Sequence, residues 1–91
     1  ERTLMQFEFD PNKSATNIVK HGIAFEAATA LWLDRERIEI PARIQDEERF
    51  LIIGLIAGKH WSAVITYRGA AVRIISVRRS RRAEIEIYEG T

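Results

Sequence analysis

The pattern of apolar and polar residues at the start of the 91-residue chain predicts a strand followed by a helix. Apolar and polar side chains alternate from Leu4 to Phe9, as in a half-buried strand. Asp10 and Pro11 together are typical of a helix start, and Gly22 suits the position after the last helical residue. The apolar stripe expected to attach this helix to the rest of the protein consists of Ala15, Ile18 and Val19.

The remainder of the chain predicts a second helix, four strands and a final helix. The second helix is expected from Phe25 to about Leu33, and the last one from Arg81 to Glu89 with Ser80 as its N-cap. The first of the four strands stops at Pro41, which suits the edge of a sheet. The strands are expected at Ile38–Ile40, Phe50–Ile56, Trp61–Tyr67 and Val72–Arg78.

The resulting order, β-α-α-β-β-β-β-α, predicts a single small α+β domain over residues 5–91. Turns containing Gly58 and Gly69 separate the last three strands, so we expect an antiparallel sheet with the helices packed on one face. Met5 is the expected start of the protein, and residues 1–4 are expected to lie upstream of it.

Composition excludes several classes of protein. A hydrophobic fraction of 46% and a charged fraction of 30% indicate an ordered globular domain. The chain has no cysteine, and its two histidines could not hold a structural zinc ion without carboxylates. No metal ion or other cofactor is expected, and the lack of acidic residues in the basic window described below argues against a metal-dependent nuclease. No apolar run approaches the roughly 18 residues of a membrane helix, and no signal peptide is recognisable, so a cytoplasmic protein is expected.

The distribution of charge is more informative than its total, which is only +1. Between residues 49 and 83 the chain carries eight basic residues and no acidic one, while the rest holds six basic residues and all 13 acidic ones. This asymmetry predicts a surface for an anionic partner, and the dominance of arginine favours bidentate contacts with phosphate. The basic residues are Arg49, Lys59, Arg68, Arg73, Arg78, Arg79, Arg81 and Arg82.

The arginines of the last strand are not expected to share one face. In a regular strand Arg73 and Arg79 lie on one side, and Ser76 and Arg78 on the other, unless the strand bulges. Arg81 and Arg82 fall in the first turn of a helix, where a cation opposes the helix dipole. These two are therefore the first that we would leave out of a phosphate site.

If the phosphate bound by these arginines belongs to RNA, the site could be catalytic. Cleavage of RNA without a metal ion needs a proton acceptor, charge stabilisation at phosphorus and a proton for the leaving group. The candidates for proton transfer are His21, His60, Tyr67, Tyr88 and the acidic run 46–48, and no spacing singles one of them out. Tyr67 stands beside Arg68 at a strand end, where it could stack on a base or donate a proton. A histidine near a helix C-terminus, as His21 is, is more often a capping residue or a partner of the helix dipole than a catalyst.

Several short blocks of the chain form a recognisable set: Phe7–Lys13, Asn17, Lys20–Ile23, Phe25–Ala28, Glu48–Phe50, Ile53–Gly54, Tyr67–Arg68, Arg73–Ser76 and Arg78–Arg79. In this order they resemble the BrnT family of toxins. The resemblance extends from about residue 5 to residue 88. Phe9 is a departure, because the family commonly has tryptophan there.

This resemblance implies the toxin of a type II toxin–antitoxin system, with a RelE-like fold and an endoribonuclease activity that halts translation without a metal ion. It implies a BrnA-like ribbon-helix-helix antitoxin as partner, and contact with operator DNA only through that antitoxin. The basic residues carried over from the family are Arg49, Arg68, Arg73, Arg78 and Arg79, and His21 falls in its N-terminal motif.

We therefore expect a catalytic group that binds the scissile phosphate and moves the proton, consisting of Arg73, Arg78, Arg79, Tyr67 and His21. Around it, RNA-binding side chains are expected at Arg49, Arg68, Arg81 and Arg82. A double variant, Arg78→Ala with Arg79→Ala, is expected to lose toxicity while keeping the fold. The alternatives are a non-catalytic basic module that binds nucleic acid or an acidic protein, and a toxin fold that has lost its activity.

Overall fold

The computed structural model describes residues 5–42 and 46–90, which form a five-stranded sheet and three α-helices. The predicted start at Met5, with residues 1–4 upstream, falls partly outside the described residues. Strand order across the sheet is β1-β5-β4-β3-β2. The strands are β1 (Gln6–Glu8), β2 (Ile38–Pro41), β3 (Phe50–Ile56), β4 (Lys59–Arg68) and β5 (Ala71–Arg79).

The predicted element order and the α+β class are confirmed, and β2 lies at the sheet edge as Pro41 suggested. Strands β2 to β5 form the expected antiparallel meander. The sheet as a whole is mixed, however, because β1 pairs with β5 in parallel. Alternation along a strand predicts which side chains are buried but says nothing about the partner or its direction.

The helices are α1 (Pro11–His21), α2 (Phe25–Ala28), continued by a 3-10 helix (Thr29–Leu33), and α3 (Arg82–Glu89). The predicted ends of α1 are confirmed. The Asp10 side chain accepts a hydrogen bond from the backbone N–H of Asn12 at 2.8 Å, and Gly22 follows the helix with φ of 80°. A left-handed conformation of this kind is strained for residues with a side chain.

The predicted apolar stripe of α1 is wrong. Ile18 is 50% exposed and Val19 86% exposed, while the buried residues of this helix are Ser14 and Asn17. The Asn17 side chain donates to the carbonyls of Ile23 and Val77 and accepts from the Val77 N–H. Polar bonds to the edge of β5 therefore hold α1 in place, and hydrophobic periodicity cannot predict such an attachment.

The main core lies between one face of the sheet and the segment from Ile23 to Leu31. We call this side of the sheet the core face; it carries Ile52, Ala63, Ile65, Val72, Ile74 and Val77. Phe25 and Leu31 pack on it and are almost completely buried. At a few kcal/mol for each large apolar side chain, this burial is the main stabilising contribution to a domain of this size.

An irregularity in β5 decides which side chains share the other face. Val64 pairs with Ser76 and Ile65 with Ile74, so Ile75 is an extra residue in β5. The bulge reverses the alternation of the strand and brings Arg73 to the same side as Arg78. We call this side the arginine face; it carries Ser62, Thr66, Arg73, Ser76 and Arg78.

Helix α3 does not lie on the core face with α2. Its Glu84 carboxylate accepts hydrogen bonds from Ser62 and Arg78, both on the arginine face. The prediction that the helices share one face is therefore corrected by α3. Arg81, not Ser80, is the N-cap, and its backbone N–H donates to Glu84 at 2.8 Å. The Ser80 hydroxyl lies instead 2.7 Å from that of Ser62.

Candidate active site

Two of the predicted phosphate-binding arginines, Arg73 and Arg78, lie on the arginine face. The guanidinium of Arg73 donates to the Glu8 carboxylate of the parallel neighbour β1 at 2.8 Å. Its side chain is 28% exposed, so a further ligand can reach it. A guanidinium has five N–H donors, so donors remain for a phosphate after one contact with Glu8.

Arg78 makes more hydrogen bonds to a carboxylate than Arg73 does. It makes a bidentate contact with Glu84, with both N···O distances at 2.8 Å. This contact lowers the pKa of Glu84 to about 2, although burial acts in the opposite direction, and it raises the pKa of Arg78. Removing Arg78 would leave an unpaired, largely buried carboxylate, so the double variant with Arg79 would not test activity alone.

Arg79 lies on the core face, away from the other two arginines. Its guanidinium stacks over the ring of Trp61 at 5.5 Å, and its Nε donates to the His60 carbonyl. The structure thus brings together a different pair from the one that regular alternation predicts. The bulge at Ile75 is the physical reason.

Tyr67 also lies on the core face, at the end of β4 and far in register from Arg78. Its hydroxyl donates to Glu39 at 2.9 Å, and its ring packs against Phe50. Burial and this hydrogen bond raise the pKa of Tyr67 to about 12. The phenol therefore keeps its proton at neutral pH and is poorly suited to act as a base.

The four predicted RNA-binding arginines occupy two different places. Arg49 directly precedes β3 and Arg68 ends β4, and both are exposed at that end of the sheet, where Arg68 lies 3.6 Å from Glu47. Arg81 and Arg82 are exposed at the start of α3. The side chain of Arg82 is 93% exposed and lies 3.5 Å from that of Glu86.

His21 lies in a cleft of about 340 Å³ between α1 and β5. Its sides are formed by one face of α1 and by the bulged part of β5. Ser76 belongs to both the cleft and the arginine face, so the two features adjoin. The cleft is lined by Lys13, Thr16, Asn17, Lys20, His21, Phe25, Ile75 and Ser76.

Sequence reasoning missed Lys13, Lys20 and Ser76 as members of a site. A usable signal was present, because Lys13 and Lys20 are seven residues apart and α1 contains no acidic residue. Such a spacing puts both side chains on one face of a helix. Among the ion pairs of the described residues, none involves either lysine, whereas Arg68, Arg73, Arg78 and Arg82 each have a carboxylate partner.

Two further observations concern residues 5–42 and 46–90 only. No three histidine or acidic side chains in these ranges lie close enough together to hold a metal ion. None of the helices described there is long and apolar enough to cross a membrane.

Comparison with known proteins connects this architecture to a family. No curated protein is significantly similar to the chain. The family model described as "Ribonuclease toxin, BrnT, of type II toxin-antitoxin system" matches residues 9–84, which include α1, the whole sheet after β1 and the start of α3. The chain therefore belongs to the BrnT family of ribonuclease toxins of type II toxin–antitoxin systems.

Proposed function

We propose that this toxin is a metal-independent endoribonuclease that inhibits translation by cutting RNA in the cytoplasm. The observation that carries the proposal is the meeting of the arginine face with the α1–β5 cleft at Ser76. There, the partly exposed Arg73 lies on the same side of the sheet as Ser76, and Ser76 and His21 line the same cleft. We infer that a phosphate bound by Arg73 would lie next to a proton acceptor in the cleft.

The chemistry assigned to these groups is attack by the ribose 2′-oxygen on the adjacent phosphorus. His21 would accept the 2′-hydroxyl proton as the new P–O bond forms, and the bond to the 5′-oxygen would break. Arg73, with a smaller contribution from the neutralised Arg78, would stabilise the negative charge that develops on the phosphoryl oxygens. Water in the open cleft would protonate the leaving oxygen, and the products would carry a 2′,3′-cyclic phosphate and a 5′-hydroxyl.

Incubation of the purified toxin with a single-stranded RNA tests this proposal directly. We expect internal cleavage, products with a cyclic phosphate end, and the same rate in the presence of EDTA. The same RNA with 2′-deoxy substitutions should stay intact, because its nucleophile is missing. RNA that is bound but never shortened would instead support a non-catalytic binding module.

Arg73 and Arg79 provide a comparison that tests the assignment of the phosphate site. Replacing Arg73 by alanine is expected to lower kcat about 100-fold, as loss of one preorganised charge donor typically does. Arg79→Ala removes the same charge from the core face and should change kcat little. Steady-state kinetics on one RNA substrate measures both, and equal losses would argue against a site on the arginine face.

A type II toxin has an antitoxin partner, and we propose a BrnA-like ribbon-helix-helix protein for this one, with operator DNA bound only through that partner. The family membership supports this proposal. Co-expression of such a protein with the toxin should restore growth, and the purified complex, but not the toxin alone, should shift operator DNA in a gel.

A further inference from the structure

In addition to His21, which we propose as the proton acceptor, the α1–β5 cleft contains two positively charged lysines. Lys13 and Lys20 are both exposed and line it, and in the part of the chain that the structure describes neither is paired with a carboxylate. The arginine face differs, because Glu8 and Glu84 neutralise much of its charge. The strongest unneutralised positive charge next to His21 therefore comes from two lysines outside the basic window of the sequence.

The orientation of α1 supports a ligand-binding role for this charge. Burial of apolar surface would favour the opposite rotation of the helix, with Ile18 and Val19 inside. Instead, the Asn17 side chain fixes the helix through three hydrogen bonds, and this turns Lys13 and Lys20 into the cleft. A departure of this kind from the simple hydrophobic pattern is common at functional sites.

We propose that the α1–β5 cleft is the subsite for the nucleotides that flank the scissile phosphate, with Lys13 and Lys20 binding two different phosphates of a single RNA strand. This inference rests on the proposed ribonuclease function, because it places the scissile phosphate at the neighbouring arginine face. The two lysines are about 10 Å apart along the helix axis. Such a separation suits an extended polyanion better than one isolated phosphate.

The other walls of the cleft suit a nucleotide. The hydroxyls of Thr16 and Ser76 can accept hydrogen bonds there, although the Thr16 hydroxyl already donates to the Asn12 carbonyl at 3.1 Å. Ile75 supplies apolar surface, and the almost completely buried Phe25 lies beneath it. The Asn17 amide is committed to backbone partners and forms part of the wall. A volume of about 340 Å³ lies at the lower end of the range of small-molecule sites, which fits a single nucleotide with its neighbours outside.

The test compares two charge-matched double variants: Lys13→Ala with Lys20→Ala, and Arg35→Ala with Arg37→Ala as control. All four side chains are exposed, and the control residues do not line the cleft. The probe is a fluorescent oligonucleotide with 2′-deoxy riboses, which cannot be cleaved, and its anisotropy is followed as a function of salt. Cleavage of the corresponding RNA gives kcat and KM.

We expect the cleft variant to bind the probe at least tenfold more weakly at low salt. The slope of log K against log salt should fall by about 1.4, which is about 0.7 for each lost phosphate contact with a single strand. KM for RNA should rise by a similar factor with kcat nearly unchanged, and the control should behave like wild type. Far-UV circular dichroism checks that both variants are folded.

Two results would overturn the proposal that the α1–β5 cleft is a nucleotide subsite. One is equal binding and equal salt slopes for the cleft and control variants. The other is a loss of antitoxin affinity in the cleft variant with RNA affinity intact, which would make the cleft a protein-binding surface. The binding measurement does not depend on cleavage, so an inactive wild-type toxin would contradict the proposed function while the subsite was still tested by the probe.

Discussion

Replacement of His21 by alanine is expected to lower kcat for RNA cleavage by about 100- to 10,000-fold, the usual effect of losing a positioned proton acceptor. The reason is its location, since it is the one histidine that lines the cleft beside Ser76. A rapid-quench or steady-state assay with a defined RNA measures the change, and circular dichroism reports whether the fold is retained.

His60 is the matched control for this experiment. Its ring nitrogen lies within hydrogen-bond distance of the Glu89 carboxylate, at 2.7 Å, and its ring packs edge-on against Tyr88, so His60 contacts α3 and does not line the cleft. His60→Ala should leave kcat close to that of wild type. If removal of His60 were as damaging as removal of His21, or if His21→Ala kept full activity, the cleft would not be the place of proton transfer.

The largest effect on stability is expected from Glu84→Ala, which should lower the free energy of unfolding by about 3 kcal/mol. The Glu84 side chain is only 12% exposed, and it accepts hydrogen bonds from Arg78, Ser62 and the Arg81 backbone. Its loss leaves the partly buried Arg78 guanidinium without its carboxylate partner, with only the Arg79 carbonyl still accepting from it. Urea denaturation measures the change as a lower midpoint.

Glu86→Ala removes a carboxylate from the same helix and serves as the control. Its partner Arg82 is almost fully exposed, and the two charged atoms are 3.5 Å apart, so the change should be within about 0.5 kcal/mol. Equal midpoints for the two variants would mean that Glu84 does not anchor α3 to the sheet.

The same carboxylate should make stability depend on pH in a defined window. Because the pKa of Glu84 is lowered from an ordinary value of 4.5 to about 2, its ionised form is favoured by folding. The contribution is complete above pH 4.5 and is lost as the pH falls from there toward 2. The difference between wild type and Glu84→Ala should therefore shrink over that interval and remain constant from pH 5 to 7.

Much of the fold was predictable because its strands are strongly patterned. Residues 50–56, with continuous apolar character, and the alternating stretches on either side of Gly69 correspond to β3, β4 and β5. The capping pattern of Asp10, Pro11 and Gly22 predicted the ends of α1. These features depend on local chemistry, which a single sequence contains in full.

The rest depends on contacts between distant residues. The parallel pairing of β1 with β5 and the hydrogen bonds of Asn17 to Val77 join residues about 60 or more positions apart. The side of the sheet that α3 covers depends on contacts such as the one between Glu84 and Ser62, which the pattern of α3 alone does not predict. The candidate site was predictable only in part for the same reason. Its arginines were visible as a charged block and the two lysines of the cleft as a seven-residue spacing on α1, whereas the bulge that puts Arg73 and Arg78 on one face was not.

The extra residue at Ile75 has a consequence for length variation within the domain. Deleting it would leave Arg73 and Arg78 an even number of positions apart, so a regular strand would still put both on one face. The arginine face alone therefore tolerates a gap at this position. The cleft does not, because Ile75 forms one of its walls opposite α1. In an alignment of related chains, a one-residue gap here would mark proteins that keep the charged face but have lost the groove beside it.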